Sequence, residues 1–309
     1  MNLKEIALKK ILKRKLEAER IADANLNKVL SDNDAKILFA KCKELVVEIA
    51  KLDVAGKSSK DLRDEYNRGR ELMGEYLKRL NIDKSLLRPQ YSCSKCKDTG
   101  YVGITECGCL KREYSKELIS LSGINIDELP KFNDDFSVFD DDESVKSIYA
   151  KMQKFIDEIS STGIDNILIV GDTGVGKTHL INCMISYSLD KNLSVKFSTM
   201  FNFNQDMLKY HIGKIEEKEY MLDPYINTDI LFLDDLGSEN KINNVTNEYL
   251  YLIINERMQK HKKTVITTNL NFAQIQDEYG ERIFSRLMHK KQSLKVNFKG
   301  EDLRIKKIK

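Results

Sequence analysis

The 309-residue sequence is 41% hydrophobic and 32% charged with a formal net charge of +3, enough apolar side chains for a packed core and enough charge for long solvated helices. No run approaches the roughly 20 apolar residues needed to cross a bilayer, which excludes a membrane-spanning helix. Lysines interrupt the apolar positions of MNLKEIALKKILKRKL, a poor secretory signal, so the expected location is the cytoplasm.

Residues 1–80 are predicted to be helical. Leu38, Cys42, Leu45, Ile49 and Leu52 recur at alternating spacings of four and three, which puts them on one helical stripe, and Ser31 and Asp32 are caps for that helix. Leu62, Tyr66, Met73, Tyr76 and Leu80 form a second stripe, and Gly56 with Ser58 and Ser59 marks the turn between the two. Three such helices can close into a small bundle or leave a stripe for a partner. Residues 1–90 hold 21 Lys+Arg against 15 Asp+Glu, and residues 286–309 hold 9 against 2. Each surplus is either a solvated face or a surface for phosphates or an acidic partner. Cys42 and Cys183 stand alone in apolar helical patterns and are expected to be buried.

Residues 88–112, RPQYSCSKCKDTGYVGITECGCLKR, lack an apolar core of their own. Cys93 and Cys96, then Cys107 and Cys109, give two close pairs that can surround one tetrahedral zinc. Four thiolates close the coordination shell, so the expected zinc is structural. A redox dithiol is the alternative, weakened by the second pair. Residues 113–122 return to a helical pattern, and KFNDDFSVFDDDES (131–144) has the composition of an acidic linker with spaced phenylalanines. The expected division is a helical partner-binding region at 1–90, the zinc module and following helix at 91–126, a linker at 127–147 and a nucleotide-binding domain at 148–309.

From residue 148 strands and helices alternate. NILIV (166–170), VKFST, DILFLDD (229–235), TVITT (264–268) and SLKVNF (293–298) predict five strands, with helices from Lys177 to about Asp190 and over roughly 202–212. Apolar strands separated by helices imply an α/β fold, a parallel sheet covered on both faces. GDTGVGKTHL (171–180) fits the phosphate-cradling loop and lies between a buried strand and a helix, where that loop belongs. Gly171, Gly174 and Gly176 let backbone amides close around phosphate oxygens, with Asp172, Thr173 and Val175 between them and the helix N-terminus behind. Lys177 reaches the β- and γ-phosphates, Thr178 is placed to ligate Mg2+, and His179 ends the binding stretch. In ILFLDDLG, Asp234 is expected to help hold Mg2+, and Asp235 to orient the attacking water. Asp235 is one methylene shorter than the more usual Glu, which predicts slow hydrolysis. Asn269, at the tip of the fourth strand, lies beside the γ-phosphate if that strand is inserted between the first and third. Arg282 and Arg286 share one helical face and are candidates for a finger acting on a neighbouring subunit, Arg286 first, or for surface salt bridges to Glu281 or Glu278. Lys209, Tyr210, His211 and Lys214 interleave basic and aromatic residues, as a single-stranded nucleic acid contact or an ordinary amphipathic helix would.

Together, YSCSKCKDTGYV, CGCLKR, GDTGVGKTHL, LFLDDLG, TTNL and ERIFSRL behind a helical N-terminal region resemble the DnaC/DnaI-type helicase loaders of bacteria and phages, within the AAA+ class. The resemblance covers nearly the whole chain. It implies a protein that grips a hexameric replicative DNA helicase (DnaB-type) through its N-terminal part. Its AAA+ domains would self-associate in a spiral and engage single-stranded DNA, with ATP and Mg2+ timing delivery at replication initiation or restart. Lys177, Thr178, Asp234, Asp235, Asn269 and Arg286 match the family's nucleotide machinery. The sequence ends soon after the fifth strand, without room for the usual helical lid, so Arg304 is a weak candidate for a second sensor arginine. The IstB-like transposition helpers share the motor but not the cysteine module. A nucleotide-gated DNA-binding adaptor that hardly hydrolyses ATP is the alternative of another class. A small-molecule kinase fails for want of a substrate lid.

Overall fold

The computed structural model describes residues 2–132, 143–300 and 302, with the side chains of 215–217 and 219 left aside. Most of the linker expected at 131–144, and Arg304, lie outside the described residues. The chain divides into two compact units, Lys9–Cys107 and a second formed by Met1–Leu8 with Gly108–Lys309.

The first unit is helical. Helix α1 (Leu3–Leu30) runs into it, and α2 (Asn33–Val54) and α3 (Lys60–Arg79) follow. Asp32 caps α2 by accepting the Ala35 amide at 3.0 Å, the side-chain satisfaction an exposed first turn requires. Asp53, Ser59 and Arg63 lock the α2–α3 turn, Ser59 Oγ donating to Asp53 Oδ1 at 2.7 Å and Arg63 Nη2 to Asp53 Oδ2 at 2.5 Å. Val29, Ala35, Leu77 and Ile82 are buried together, with Met73, Tyr76 and Leu80 packed on them. The expected burial of Cys42 is corrected. It is half-buried, because the helices of this unit leave a groove of about 550 Å³ between them, whose wall it shares with Leu26, Phe39, Tyr66, Met73 and Leu77.

After the first unit's hairpin, β1 (Tyr101–Val102) and β2 (Thr105–Glu106), comes α4 (Gly108–Ser120). The second unit then continues with α5 (Glu143–Asp157), β3 (Asn166–Val170), α6 (Lys177–Asp190), β4 (Val195–Thr199), α7 (Met200–Ile212), α8 (Ile215–Asn227), β5 (Ile230–Leu236), α9 (Thr246–Gln259), β6 (Lys263–Thr268), α10 (Phe272–Leu287) and β7 (Ser293–Asn297). The parallel sheet has the order β4-β5-β6-β3-β7. Successive strand side chains alternate between two apolar layers. Ile167, Ile169, Phe232 and Val265 face a core with Leu180, Ile181 and Met184 of α6, whereas Leu168, Leu231, Leu233 and Ile266 face one with Ile253, Ile254 and Ile283. Burial on both faces is why these strands read as unbroken apolar runs.

The outer edge of β4 is covered. Ser115 Oγ of α4 accepts the Val195 amide at 2.7 Å, and Ser122 Oγ donates to the Phe197 carbonyl at 2.9 Å, removing free edge groups that would otherwise pair with another chain. Arg257 is fully buried and donates to the carbonyls of Tyr225, Ile226, Thr228 and Lys263, which ties the end of α8 to the start of β6. Cys183 is fully buried, as expected.

Candidate functional site

The loop between β3 and α6 rises from an inner strand of the sheet, with β6 between β3 and β5 as the Asn269 argument required. Gly171 sits where the Phe298 carbonyl comes so close that a Cβ would lie 2.2 Å from it, so no other residue fits there without moving the backbone. Phe298 N donates to the Val170 carbonyl at 2.7 Å and continues the β7 register past the strand end. Gly176 is left-handed (φ 102°) and opens α6, leaving the first amides of that helix aimed outward. Lys177 is buried, and its Nζ donates to the carbonyls of Gly171 and Asp172 at 2.7 Å each. A lysine held across the loop in this way carries its charge to the centre of the anion cradle.

A cavity of about 580 Å³ opens over the loop. Thr173, Gly174, Gly176, Lys177, Thr178 and His179 line one side, and Asp234, Asp235, Thr267 and Asn269 line the other. Thr178 Oγ1 donates to Asp234 Oδ2 at 3.0 Å, so the two expected Mg2+ residues already share one hydrogen bond. Asp234 is buried and also accepts from Thr267 Oγ1 at 2.5 Å. A hydroxyl beside a carboxylate at the mouth of an anion cradle is a donor set suited to a hard divalent cation with several waters. Asp235 is exposed and left-handed (φ 65°), where the β5–β6 register shifts between Leu233 and Leu236. The break turns its carboxylate out of the sheet and towards the cavity. Its amide is held by Thr267 Oγ1 at 2.9 Å, and Ser238 Oγ donates to its carbonyl at 2.7 Å.

Gly171, Asp172 and Val175 are in the loop but not in the cavity wall; the Gly171 amide, expected to face phosphate, donates instead to the Thr268 carbonyl at 3.2 Å, and Val175 is buried in the core beneath. The His179 ring is oriented by the buried Tyr149, whose hydroxyl lies 2.8 Å from Nδ1. Thr267, Thr199, Phe201 and Ser238 line the cavity without having been anticipated. The first threonine of TTN was the available sign for Thr267, because the strand tip next to paired carboxylates needs a donor. Arg286 lies elsewhere. Its Nε and Nη2 donate to Asn255 Oδ1 (3.3 Å) and Tyr251 Oη (3.4 Å), and both Arg282 and Arg286 stand over the Tyr251 ring. Among the described residues neither arginine is paired with a carboxylate; Glu278 pairs with Lys241 instead. On α7 and in the turn before α8, Lys209, His211 and Lys214 are exposed, while Tyr210 packs edge-on against Tyr249, whose hydroxyl meets His211 Nδ1 at 3.0 Å.

The four cysteines form one cluster, with all four Sγ atoms within 4.8 Å of one another. Cys93 and Cys107 Sγ are 3.7 Å apart, close to the edge of about 3.8 Å that four sulfurs at 2.3 Å from a zinc would span. Asp98, fully buried, accepts the amides of Ser92 (2.7 Å) and Cys93 (3.0 Å) and shapes the turn that presents the first pair. The donors therefore fit a closed tetrahedral site.

Sheet order, loop and paired aspartates define a nucleotide-binding P-loop protein of the AAA+ type. The profile of the IstB-like ATP binding proteins matches residues 134–309, more than half of the sequence, and the chain belongs to that family. An insertion-sequence protein of Geobacillus stearothermophilus named for ATP binding is 28% identical over 148 residues, 46% of this chain and 56% of the relative. The chromosomal replication initiator protein DnaA of Wolinella succinogenes is 34% identical over 109 residues, 35% of this chain and 24% of the initiator. The matched part is thus about half the length of the first relative and a quarter of the second. Among solved structures, the DnaC helicase loader aligns with a TM-score of 0.44 at 23% identity, over 56% of this chain and 97% of that one. DnaI aligns at 0.42 and 19%, over 60% and 93%. No helix among the described residues is long and apolar enough to cross a membrane.

Proposed function

We propose that the protein is an ATP-driven loader that binds a hexameric replicative DNA helicase and delivers it onto single-stranded DNA. One observation carries this function: the family-matched segment is preceded by a four-cysteine cluster and a separate helical unit, parts that a nucleotide switch needs only if it must hold a partner. Gly174 and Gly176 supply amides to the cradle, Gly171 lets the loop pass close to Phe298 while its own amide is bonded to the Thr268 carbonyl, and Lys177 neutralises phosphate charge. Thr178 and Asp234 hold Mg2+, and Asn269 and Asp235 orient the lytic water. The bound ion and triphosphate supply a good leaving group, and the chain's task is placement. Arg286, remote from its own cavity, acts on the nucleotide of a second copy, so hydrolysis is slow in isolated chains and rises on self-association or on DNA. Cys93, Cys96, Cys107 and Cys109 hold a structural zinc. The loader function is tested by co-sedimentation of the full chain with the replicative helicase of its host, with ATP and with ADP. Stable capture in one nucleotide state is expected, and no capture in either sinks it for that helicase.

A transposition helper is the second reading, favoured by the family match and by the insertion-sequence relative. Binding to a transposase in place of the helicase would put it first. A turnover of about 10 per second or more by isolated chains would refute the slow, assembly-dependent site.

A further inference from the structure

The loop after β5 is tied to α10 by buried side chains that the nucleotide chemistry above does not use. Glu239 is only 7% exposed. Its Oε2 accepts the Gly237 amide at 3.0 Å, closing a turn just after Asp235, and its Oε1 accepts the hydroxyl of Tyr279 in α10. Tyr279 is itself buried, and burial together with the adjacent Glu239 carboxylate pushes its phenol well above the usual range, so it stays a donor. Lys241 stands 4.0 Å from the centre of the Tyr279 ring and donates to the Glu278 carboxylate (2.8 Å) and carbonyl (2.9 Å). The Asn247 side chain reaches the same carbonyl at 3.3 Å.

The next residue breaks the helix. Gly280 has φ 81° and ψ 163°, so α10 is two helical pieces joined at a hinge. Nothing lies within 4 Å of where its Cβ would be, so no close packing demands a glycine; the backbone conformation does. The piece after the hinge carries Arg282 and Arg286. The piece before it is clamped to the loop that leaves β5 just after Asp235. A buried carboxylate is costly unless its oxygens are bonded, and an apolar contact would pack these elements without that cost. Glu239 spends one oxygen on each element.

Resting on the reading of the cavity as an ATPase site, we propose that Glu239 and Tyr279 are positioning residues that form a strut between the Asp235 loop and the hinge of the arginine-bearing helix, so that engagement of Arg282 and Arg286 by a second copy is felt at the lytic carboxylate. Motion at the hinge passes through Tyr279 to Glu239 and the Gly237 amide, and so to the turn that sets the height of Asp235.

The test compares the full chain with Tyr279→Phe, which removes one hydroxyl, and Glu239→Gln, which keeps the shape and changes the bonding. Two readouts are taken: ATP turnover against ATP concentration, and hydrogen exchange of segments 235–241 and 281–287 with and without Mg-ADP. Tyr279→Phe should lower kcat about tenfold while KM for ATP stays within about twofold, the pattern of a lost transition-state interaction, with Glu239→Gln between. Mg-ADP should slow exchange in both segments of the natural chain, but in Tyr279→Phe it should no longer reach 281–287 while still protecting the phosphate loop. A purely structural tyrosine would lower the melting temperature and leave both patterns alone. An unchanged kcat, or an unchanged response of 281–287, overturns the strut, as does a natural chain in which that segment never responds. If the natural chain turns over no ATP in any assembly, the ATPase reading fails and the exchange experiment decides the strut by itself.

Discussion

Thr267 is fully buried at the end of β6, and its single hydroxyl serves both aspartates. It donates to Asp234 Oδ1 at 2.5 Å and accepts the Asp235 amide at 2.9 Å. Valine reproduces its branched shape but not the hydroxyl. In Thr267→Val the buried carboxylate loses a charge-assisted bond of about 1.5–3 kcal/mol, and the amide one of about 0.5–1.5 kcal/mol. Asp234 keeps Thr178, and water from the cavity can replace part of the loss, so the expected destabilisation is about 3 kcal/mol. Thr267→Ser keeps both bonds and loses one methyl, worth about 1 kcal/mol. Urea unfolding of the nucleotide-free chain measures both. The relevant transition is the one that Mg-ADP moves to higher urea, because a ligand stabilises only the unit that binds it. The valine variant should also lose kcat more than nucleotide affinity, since the left-handed Asp235 is no longer held. A loss below about 1 kcal/mol for valine, or equal losses for valine and serine, would refute the shared-hydroxyl account.

Acid should weaken the same unit through Asp229. Burial alone would raise its carboxyl, but the Lys262 ammonium at 2.7 Å, the Ser194 amide and Lys111 outweigh burial and hold it well below the usual carboxylate range. A carboxyl depressed in the folded state adds stability above its unfolded value of about 4 and loses it as pH falls through the folded value. Unfolding curves should therefore show stability falling below about pH 4, and Asp229→Asn should flatten that limb while lowering stability at pH 7. Native mass spectrometry of the full chain should find one zinc, absent from Cys96→Ser, and chelation should make residues 88–112 protease-sensitive while nucleotide binding persists; two disulfides and no metal would defeat the site. Arg286→Ala should keep nucleotide affinity and lose turnover, and mixing it with Lys177→Ala should restore part of it, because one copy then supplies the finger and the other the site. Full activity of Arg286→Ala alone would remove the finger.

Much of the fold was legible because its signals are local. The strand expected at 166–170 is found there, and those at 229–235, 264–268 and 293–298 match within a residue, since a strand buried on both faces must be a short apolar run. The insertion of β6 between β3 and β5, on which the expected place of Asn269 depended, is present in the sheet. Helix α8 was not foreseen. Its sequence IEEKEYMLDPYIN is polar and holds Pro224, and the side chain that fastens its end, Arg257, comes from α9, 30 residues on. The expected start of α4 at 113 fell five residues late, because Gly108 and Cys109 are weak helix formers that the helix nevertheless includes.

The same division runs through the site. Lys177, Thr178, Asp234, Asp235 and Asn269 reach one cavity because each sits at a strand tip or in the first turn of the helix that follows the glycine loop. Thr267 lies only two residues from Asn269, yet its role depends on the break that makes Asp235 left-handed, a feature of β5 rather than of TTN. Glu239 and Tyr279 are forty residues apart and belong to no motif. They meet because α10 halts at Gly280 beside the loop leaving β5, and the hinge owes its form to backbone geometry alone. Motifs therefore locate where, on the proposed reading, phosphate, metal and water would be held. The contacts that would relate one copy's arginine to its own aspartate lie in the packing between motifs, so variants of Thr267, Glu239 and Tyr279 separate holding a nucleotide from timing its use more cleanly than variants of Lys177 or Asp234.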